Sequence, residues 1–195
     1  MKKAFIIGNG PSRKEFDLNK LKDEVTFGCN ALYRDFHPNW LVAIDNKIIQ
    51  EIKESDYDIL RCIFPVEEER WEPADYIPDR RARSNAGMNA CIEAIRKGFD
   101  TLYLLGFDFM IAHRDYAEGN LYDGTNGYGP ETRAVYGDTL NRVRYFEWFA
   151  NKNSQTTFYI CLPTPNNINM ISTHPLDTKN VRGIYYDDLL TSNSF

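Results

Sequence analysis

Apolar residues fall in short, unbroken runs separated by polar turns: Ala4–Ile7, Val25–Gly28, Trp40–Ile44, Ile59–Phe64, Thr101–Leu105 and Thr157–Cys161. Runs of this length predict strands buried on both faces. Between them the spacing turns helical. Asn46–Glu54 puts Ile48, Ile49 and Ile52 on one face, and Ala86–Lys97 does the same with Met88, Cys91, Ile92 and Ile95. Gly98 then supplies a helix stop. A third helix is predicted over Leu140–Ala150, with Leu140, Val143, Phe146, Trp148 and Phe149 along it. Strands alternating with helices predict an α/β fold with an open, largely parallel sheet. In such a sheet ligands sit at the carboxyl ends of the strands.

Two stretches lack either period. The first, Glu67–Arg83, is polar and proline-bearing, with Arg80, Arg81 and Arg83 near its end, and reads as an extended connector. The second, Ile111–Gly137, carries five glycines and the only histidine near the aromatic run, His113. A structureless segment of that length in a compact domain is expected to be a functional lid or to be partly disordered.

Composition narrows the partners. The chain has 195 residues, 43% hydrophobic and 26% charged, enough for one domain with a real core. A net charge of −5 argues against a nucleic acid partner. Cys29, Cys62, Cys91 and Cys161 are scattered in or beside apolar runs, which reads as reduced thiols in a cytoplasmic protein. No zinc spacing joins them to His37, His113 or His174. No signal peptide and no run of transmembrane length is visible.

The densest chemistry is at the start, where the first strand runs into Gly8-Asn9-Gly10-Pro11-Ser12. Glycines there allow a sharp turn and a close approach to a phosphate or sugar, or a purely structural turn. A dinucleotide fingerprint needs a third glycine where Arg13 stands, and the P-loop Gly-Lys-Ser/Thr is absent. Pro11 also removes one amide from any phosphate cradle. A nicotinamide dehydrogenase and a P-loop kinase are both disfavoured.

Each strand ends in polar groups that can converge. The first offers Gly8, Asn9, Gly10 and Ser12, the second Asn30, the third Asp45 and the fifth Asp108. Arg83-Ser84-Asn85-Ala86-Gly87 precedes the middle helix, with Ser84 or Asn85 as N-cap and open amides suited to an anion. Asn30 either ties down its turn or meets a ligand. Asp45 either caps the next helix or meets a ligand, and Asp108 either makes an Asx-turn or acts in catalysis. Arg83 is placed to bind a phosphate or carboxylate.

Gly8-Asn9-Gly10-Pro11-Ser12, Cys29-Asn30, Arg83-Ser84-Asn85-Ala86-Gly87, Leu104-Leu105-Gly106-Phe107-Asp108 and Tyr159-Ile160-Cys161-Leu162-Pro163 together resemble the small bacterial lipooligosaccharide sialyltransferases. The resemblance implies a single Rossmann-like domain over 1–195, with helices on both faces of the sheet and a long Gly-rich lid about 111–137. It implies a cytidine-monophosphate sugar donor, a glycan or small-molecule acceptor, and no metal. Asn9, Gly10, Ser12 and Asn30 would hold the nucleotide, and Asn85, Ala86 and Gly87 would follow its phosphate and sugar; the strand ends add Gly8 and Asp45 to the nucleotide-binding set. Arg83 would stand near the donor carboxylate or the reaction centre. Two positions depart from that family: Met110 replaces a tyrosine, and Tyr136 falls about where the catalytic histidine belongs. Asp108, His113 and Tyr136 are therefore the candidate bases.

Phe36-His37-Pro38-Asn39-Trp40 through Ile44-Asp45 is similar to a segment of the archaeal-type hydroxymethyl-dihydropterin pyrophosphokinases. That resemblance implies ATP with Mg²⁺ held by Asp45 and Asp108. Three readings stand: a glycosyltransferase, a metal-dependent pyrophosphokinase, and a nucleotide-binding module without turnover. A homo-oligomer is compatible with each.

Overall fold

Lys3–Ile7 (β1), Thr26–Cys29 (β2), Trp40–Val42 (β3), Cys62–Ile63 (β4), Thr101–Leu105 (β5), Thr157–Leu162 (β6) and Val181–Tyr185 (β7) form one sheet in this computed structural model. It describes residues 1–66, 85–113, 116, 119–132, 136–165 and 170–190, the side chains of 136–138 excepted. The strand order is β4-β3-β2-β1-β5-β6-β7, and every pair is parallel. The α-helices are Asn46–Glu54 (α1), Ala86–Arg96 (α2) and Tyr136–Lys152 (α3). This is an α/β Rossmann-like fold with one extra strand at the β4 edge.

Strand alternation builds two cores. Ala4 and Ile6 of β1, Leu102 and Leu104 of β5, and Phe158 and Ile160 of β6 face α2 and α3. Phe5, Ile7, Leu41, Leu105 and Cys161 face the other way, onto Ile48 and Ile52 of α1 and the side chains Phe16, Leu21 and Leu32 from short 3-10 turns. A strand buried on both faces is apolar along its buried length, as β1 is over Ala4–Ile7 and β5 is at Leu102, Leu104 and Leu105. α2 is buried along most of its length, including Met88, Ala90, Cys91 and Ala94. It ends where Gly98, at φ +81°, lets its own amide reach Ile95 O and that of Phe99 reach Ala94 O.

The structure departs from the expected elements at three places. Only Cys62–Ile63 of the fourth run is strand, because Asp58 accepts from Leu60 N and folds Ile59–Arg61 into a 3-10 turn. β7 escapes an apolar-run criterion: Arg182 and Gly183 interrupt it, as an edge strand tolerates. α3 starts four residues before Leu140, and Leu140 itself is 38% exposed while Val143, Phe146 and Phe149 are buried. The connector 67–83 lies outside the described residues.

Candidate functional site

β1 and β5 are neighbours, yet the chain visits β2, β3 and β4 between them, so the strand order reverses at their seam. A cavity of about 690 Å³ opens at the carboxyl ends there. Its wall brings together Gly8, Asn9, Gly10, Asn30, Asp45, Asn85, Ala86, Gly87 and Asp108, which lie far apart in sequence.

The seam itself explains the glycines. Gly8 N donates to Leu105 O at 2.7 Å and Gly10 N to Gly106 O at 3.0 Å. A Cβ on Gly8 would come within 2.7 Å of Gly106 O, and one on Gly10 within 2.3 Å of Asp108 Cγ. These residues are small because two chain segments touch there. Asp108 then reaches across: Ser12 donates its amide to Oδ2 at 2.8 Å and its hydroxyl to Oδ1 at 2.5 Å. Ser12 is fully buried and does not line the cavity, and its hydroxyl also lies 3.3 Å from that of Tyr186.

Asn30 closes β2 at φ +46°, a left-handed conformation that asparagine adopts readily. Its Nδ2 donates to Asp45 Oδ2 at 2.5 Å and its Oδ1 accepts from Ile44 N, so it laces the ends of β2 and β3 together. Asp45 precedes α1, but its side chain accepts no bond from the first turn of that helix. Asn9 donates to Cys29 O at 2.9 Å, pinning the end of β1 to that of β2.

Asn85 is the N-cap of α2, with Oδ1 accepting from Met88 N at 3.0 Å. The amides of Ala86 and Gly87 belong to the first turn, where helix geometry directs N–H groups outward along the axis. Gly87 leaves room for the Phe107 ring, which would lie 2.8 Å from a Cβ. Ser84 and Arg83 lie outside the described residues, as does the Tyr136 side chain.

Among the candidate bases, Asp108 is 6% exposed and lines the cavity. Burial pushes its carboxyl up to about 6, against the opposing pull of the Ser12 hydrogen bonds. His113 is not part of the wall; its ring packs at 5.7 Å from that of Tyr116, which is.

The remaining wall comes from residues that lack a local sequence signal. Lys47 enters from α1, Arg142 from α3, and Tyr116, Asn120, Asp123, Tyr128 and Glu131 from the expected lid. Within that segment, 119–132 packs down as a strap. Leu121 N donates to Asn9 O at 2.8 Å, and the rings of Tyr122 and Tyr128 are buried against each other at 5.8 Å. Arg34 grips Glu51 of α1 through Nε at 2.7 Å and a terminal nitrogen at 2.6 Å, and binds Thr125 Oγ1 and Asn126 O. Arg13, 5% exposed, donates to the Tyr122 hydroxyl at 3.1 Å, which in turn donates to Asp35. The residue that stands where a dinucleotide fingerprint has glycine thus anchors the strap. Among the described residues, no three His, Cys, Asp or Glu gather as a metal site, and no helix is long and apolar enough to cross a membrane.

No protein-family model matches the chain, and no curated protein matches it. Among solved structures it is similar to the MAf glycosyltransferase from Magnetospirillum magneticum AMB-1, at 14% identity and a TM-score of 0.54. That match covers 96% of this chain and 34% of the other, so the chain spans about a third of that enzyme. A second similar structure is the sialyltransferase CstII from Campylobacter jejuni with the substrate analogue cytidine-5′-monophosphate, at 16% identity and a TM-score of 0.38, covering 92% and 93% of the two chains. What the chain shares with the first is the α/β Rossmann-like fold.

Proposed function

We propose that the cavity binds a nucleotide-activated sugar of the cytidine-monophosphate type and that the protein transfers the sugar to a hydroxyl of a glycan or small-molecule acceptor. One observation carries this reading: the capped first turn of α2, Asn85–Gly87, shares a single cavity with Gly8–Gly10 at the seam where the strand order reverses. That is where α/β sheets hold nucleotides, and a helix N-terminus favours phosphate. The wall is rich in amides and rings, among them Asn9, Asn30, Asn46, Asn120, Phe109 and Tyr116. Amides pair with hydroxyls and base edges, while rings cover sugar and base faces. The fold shared with a glycosyltransferase supports the same reading.

In the transfer, the acceptor oxygen attacks the anomeric carbon as the bond from that carbon to the phosphate oxygen breaks. The electron pair leaves with the nucleoside phosphate, which Lys47, Arg142 and the α2 amides would offset electrostatically. The acceptor proton needs a base. Asp108, in the wall with its proton affinity raised, is the leading candidate over His113 and Tyr136, and Arg83 would assist the departing charge. No metal enters these steps. The alternative, ATP with Mg²⁺ held by Asp45 and Asp108, predicts adenosine nucleotide binding that requires Mg²⁺ and fails in Asp45→Asn. Calorimetry with cytidine, uridine, guanosine and adenosine nucleotides tests the proposal, with cytidine nucleotides expected to bind. Heat from none of the four would overturn it.

A further inference from the structure

Two buried polar atoms in residues of the cavity wall have no hydrogen-bond partner, Asn9 Oδ1 and the Tyr128 hydroxyl. The residues are 9% and 7% exposed. Native proteins seldom leave such atoms unpaired, and an unpaired group at a cavity points to what the cavity holds. An amide oxygen only accepts, whereas a phenol both donates and accepts. A ligand hydroxyl satisfies both, giving its proton to Asn9 and taking one from Tyr128.

The place in the fold says which hydroxyl. In dinucleotide folds an acidic side chain about 20 residues beyond the glycine turn takes a ribose hydroxyl. Here β2 ends in Asn30, and the carboxylate comes from one strand further on, Asp45, held by Asn30 Nδ2 at 2.5 Å. The Tyr128 hydroxyl feels the charge of Asp45 and the nearby polar groups of Asn9, Asn30 and the Ala31 backbone, without reaching hydrogen-bond geometry to any of them. The tyrosine is held from behind rather than through its hydroxyl. Its N–H donates to Thr125 O at 2.9 Å, its carbonyl accepts from Gly124 N at 2.8 Å, and its ring lies against Tyr122.

We propose that Tyr128 is a specificity-determining residue whose hydroxyl, together with Asn9 Oδ1, reads a ribose hydroxyl of the bound nucleotide. The strap is then part of the binding site and not only its cover. This rests on the nucleotide reading of the cavity.

The test compares wild type with Tyr128→Phe, which removes one oxygen and leaves the packed ring. Calorimetry uses the monophosphate of the base that wild type prefers, in ribo, 2′-deoxy and 3′-deoxy forms. Wild type should bind one of the deoxy forms about tenfold more weakly than the ribo form, the size of one good neutral hydrogen bond. Tyr128→Phe should bind the ribo form about tenfold more weakly and lose the discrimination. Its unliganded melting temperature should equal or exceed that of wild type, because no folded-state bond is lost. The proposal is overturned if the variant keeps wild-type affinity, keeps the discrimination, weakens all three forms equally, or melts lower without ligand. If wild type binds nucleotides but treats the three forms alike, this proposal alone fails. If it binds none, the nucleotide reading fails and takes this one with it.

Discussion

Ser12 holds both carboxylate oxygens of Asp108, one through its amide at 2.8 Å and the other through its hydroxyl at 2.5 Å. The two residues stand at the ends of neighbouring strands, so this pair closes the β1–β5 seam at the back of the cavity. Burial raises the carboxyl to about 6 despite the two bonds, because removing the anion from water outweighs them.

A raised value has a definite sign for stability. The native state holds the proton more tightly than the unfolded chain, so this contribution is complete below the ordinary carboxylate value of 3.8 and is lost as pH rises through about 6. The gap corresponds to about 3 kcal/mol. Asp108→Asn should remove that dependence, and it can be accommodated: its oxygen accepts from the Ser12 amide, its NH₂ donates to Ser12 Oγ, and that hydroxyl turns toward Tyr186. Thermal unfolding from pH 4.5 to 8 checks this, the difference between wild type and variant being the readout. Parallel curves would show that Asp108 does not titrate in that window. In transfer assays the wild-type rate should rise through about pH 6 if Asp108 is the base, and the variant should lose about 10²-fold or more.

Gly10 carries a second expectation. Its backbone, at φ −68°, suits any residue, so only the contact with Asp108 demands glycine. Gly10→Ala should cost about 1–3 kcal/mol from overpacking. Gly10→Ala with Asp108→Ala should cost less than the sum of the two single changes, since removing the carboxylate makes room for the methyl group. Denaturant unfolding of the four proteins measures the coupling. Strict additivity would show that the methyl group is accommodated some other way.

The strand ends were readable because fully buried parallel strands leave unbroken apolar runs, and the polar residues after them have nowhere to go but the sheet edge. Asn9, Asn30, Asp45 and Asp108 stand out that way and Asn85 as a helix N-cap, and the structure gathers all five in one wall. What each does was less legible. Ser12 and Asp108 bond each other across 96 residues, and no local pattern announces such a partner. Tyr128, Lys47 and Arg142 enter the cavity through tertiary packing of the strap, α1 and α3, where a single tyrosine or cation carries no periodic signal. β7 was missed because an edge strand exposes one side, so Arg182 and Gly183 fit there without the apolar run that marks β1.

Asn85→Ala separates capping from binding. Loss of the bond from Met88 N should cost about 1 kcal/mol of stability. Asn85→Asp and Asn85→Ser restore a cap and should recover most of it in chemical denaturation. If the residue served only as a cap, Asn85→Ser would also restore nucleotide affinity. Under the proposed function Asn85→Asp should bind more weakly than Asn85→Ser, because it sets a negative charge beside the phosphate.

The strap offers the last test, through Glu51. Burial alone would raise its carboxyl, yet hydrogen bonds from Tyr33, Asn126 and Arg34 outweigh that and bring it below the ordinary value of 4.5. A depressed carboxyl stabilises the fold above its unfolded value, and that contribution is lost as pH falls through the lower, folded one. The clamp of Arg34 on Glu51, Thr125 and Asn126 should therefore loosen at acid pH before the sheet does. Hydrogen exchange read at 121–128 and at β1 between pH 3 and 6 makes the comparison. Protection in the strap should fall first, and Glu51→Gln should show the loosened strap already at pH 6. Because Glu51 is only partly buried, the expected cost is modest, about 1 kcal/mol, and smaller in high salt. If strap and β1 lose protection together at every pH, they open as one unit, and the clamp does not set the strap's own stability.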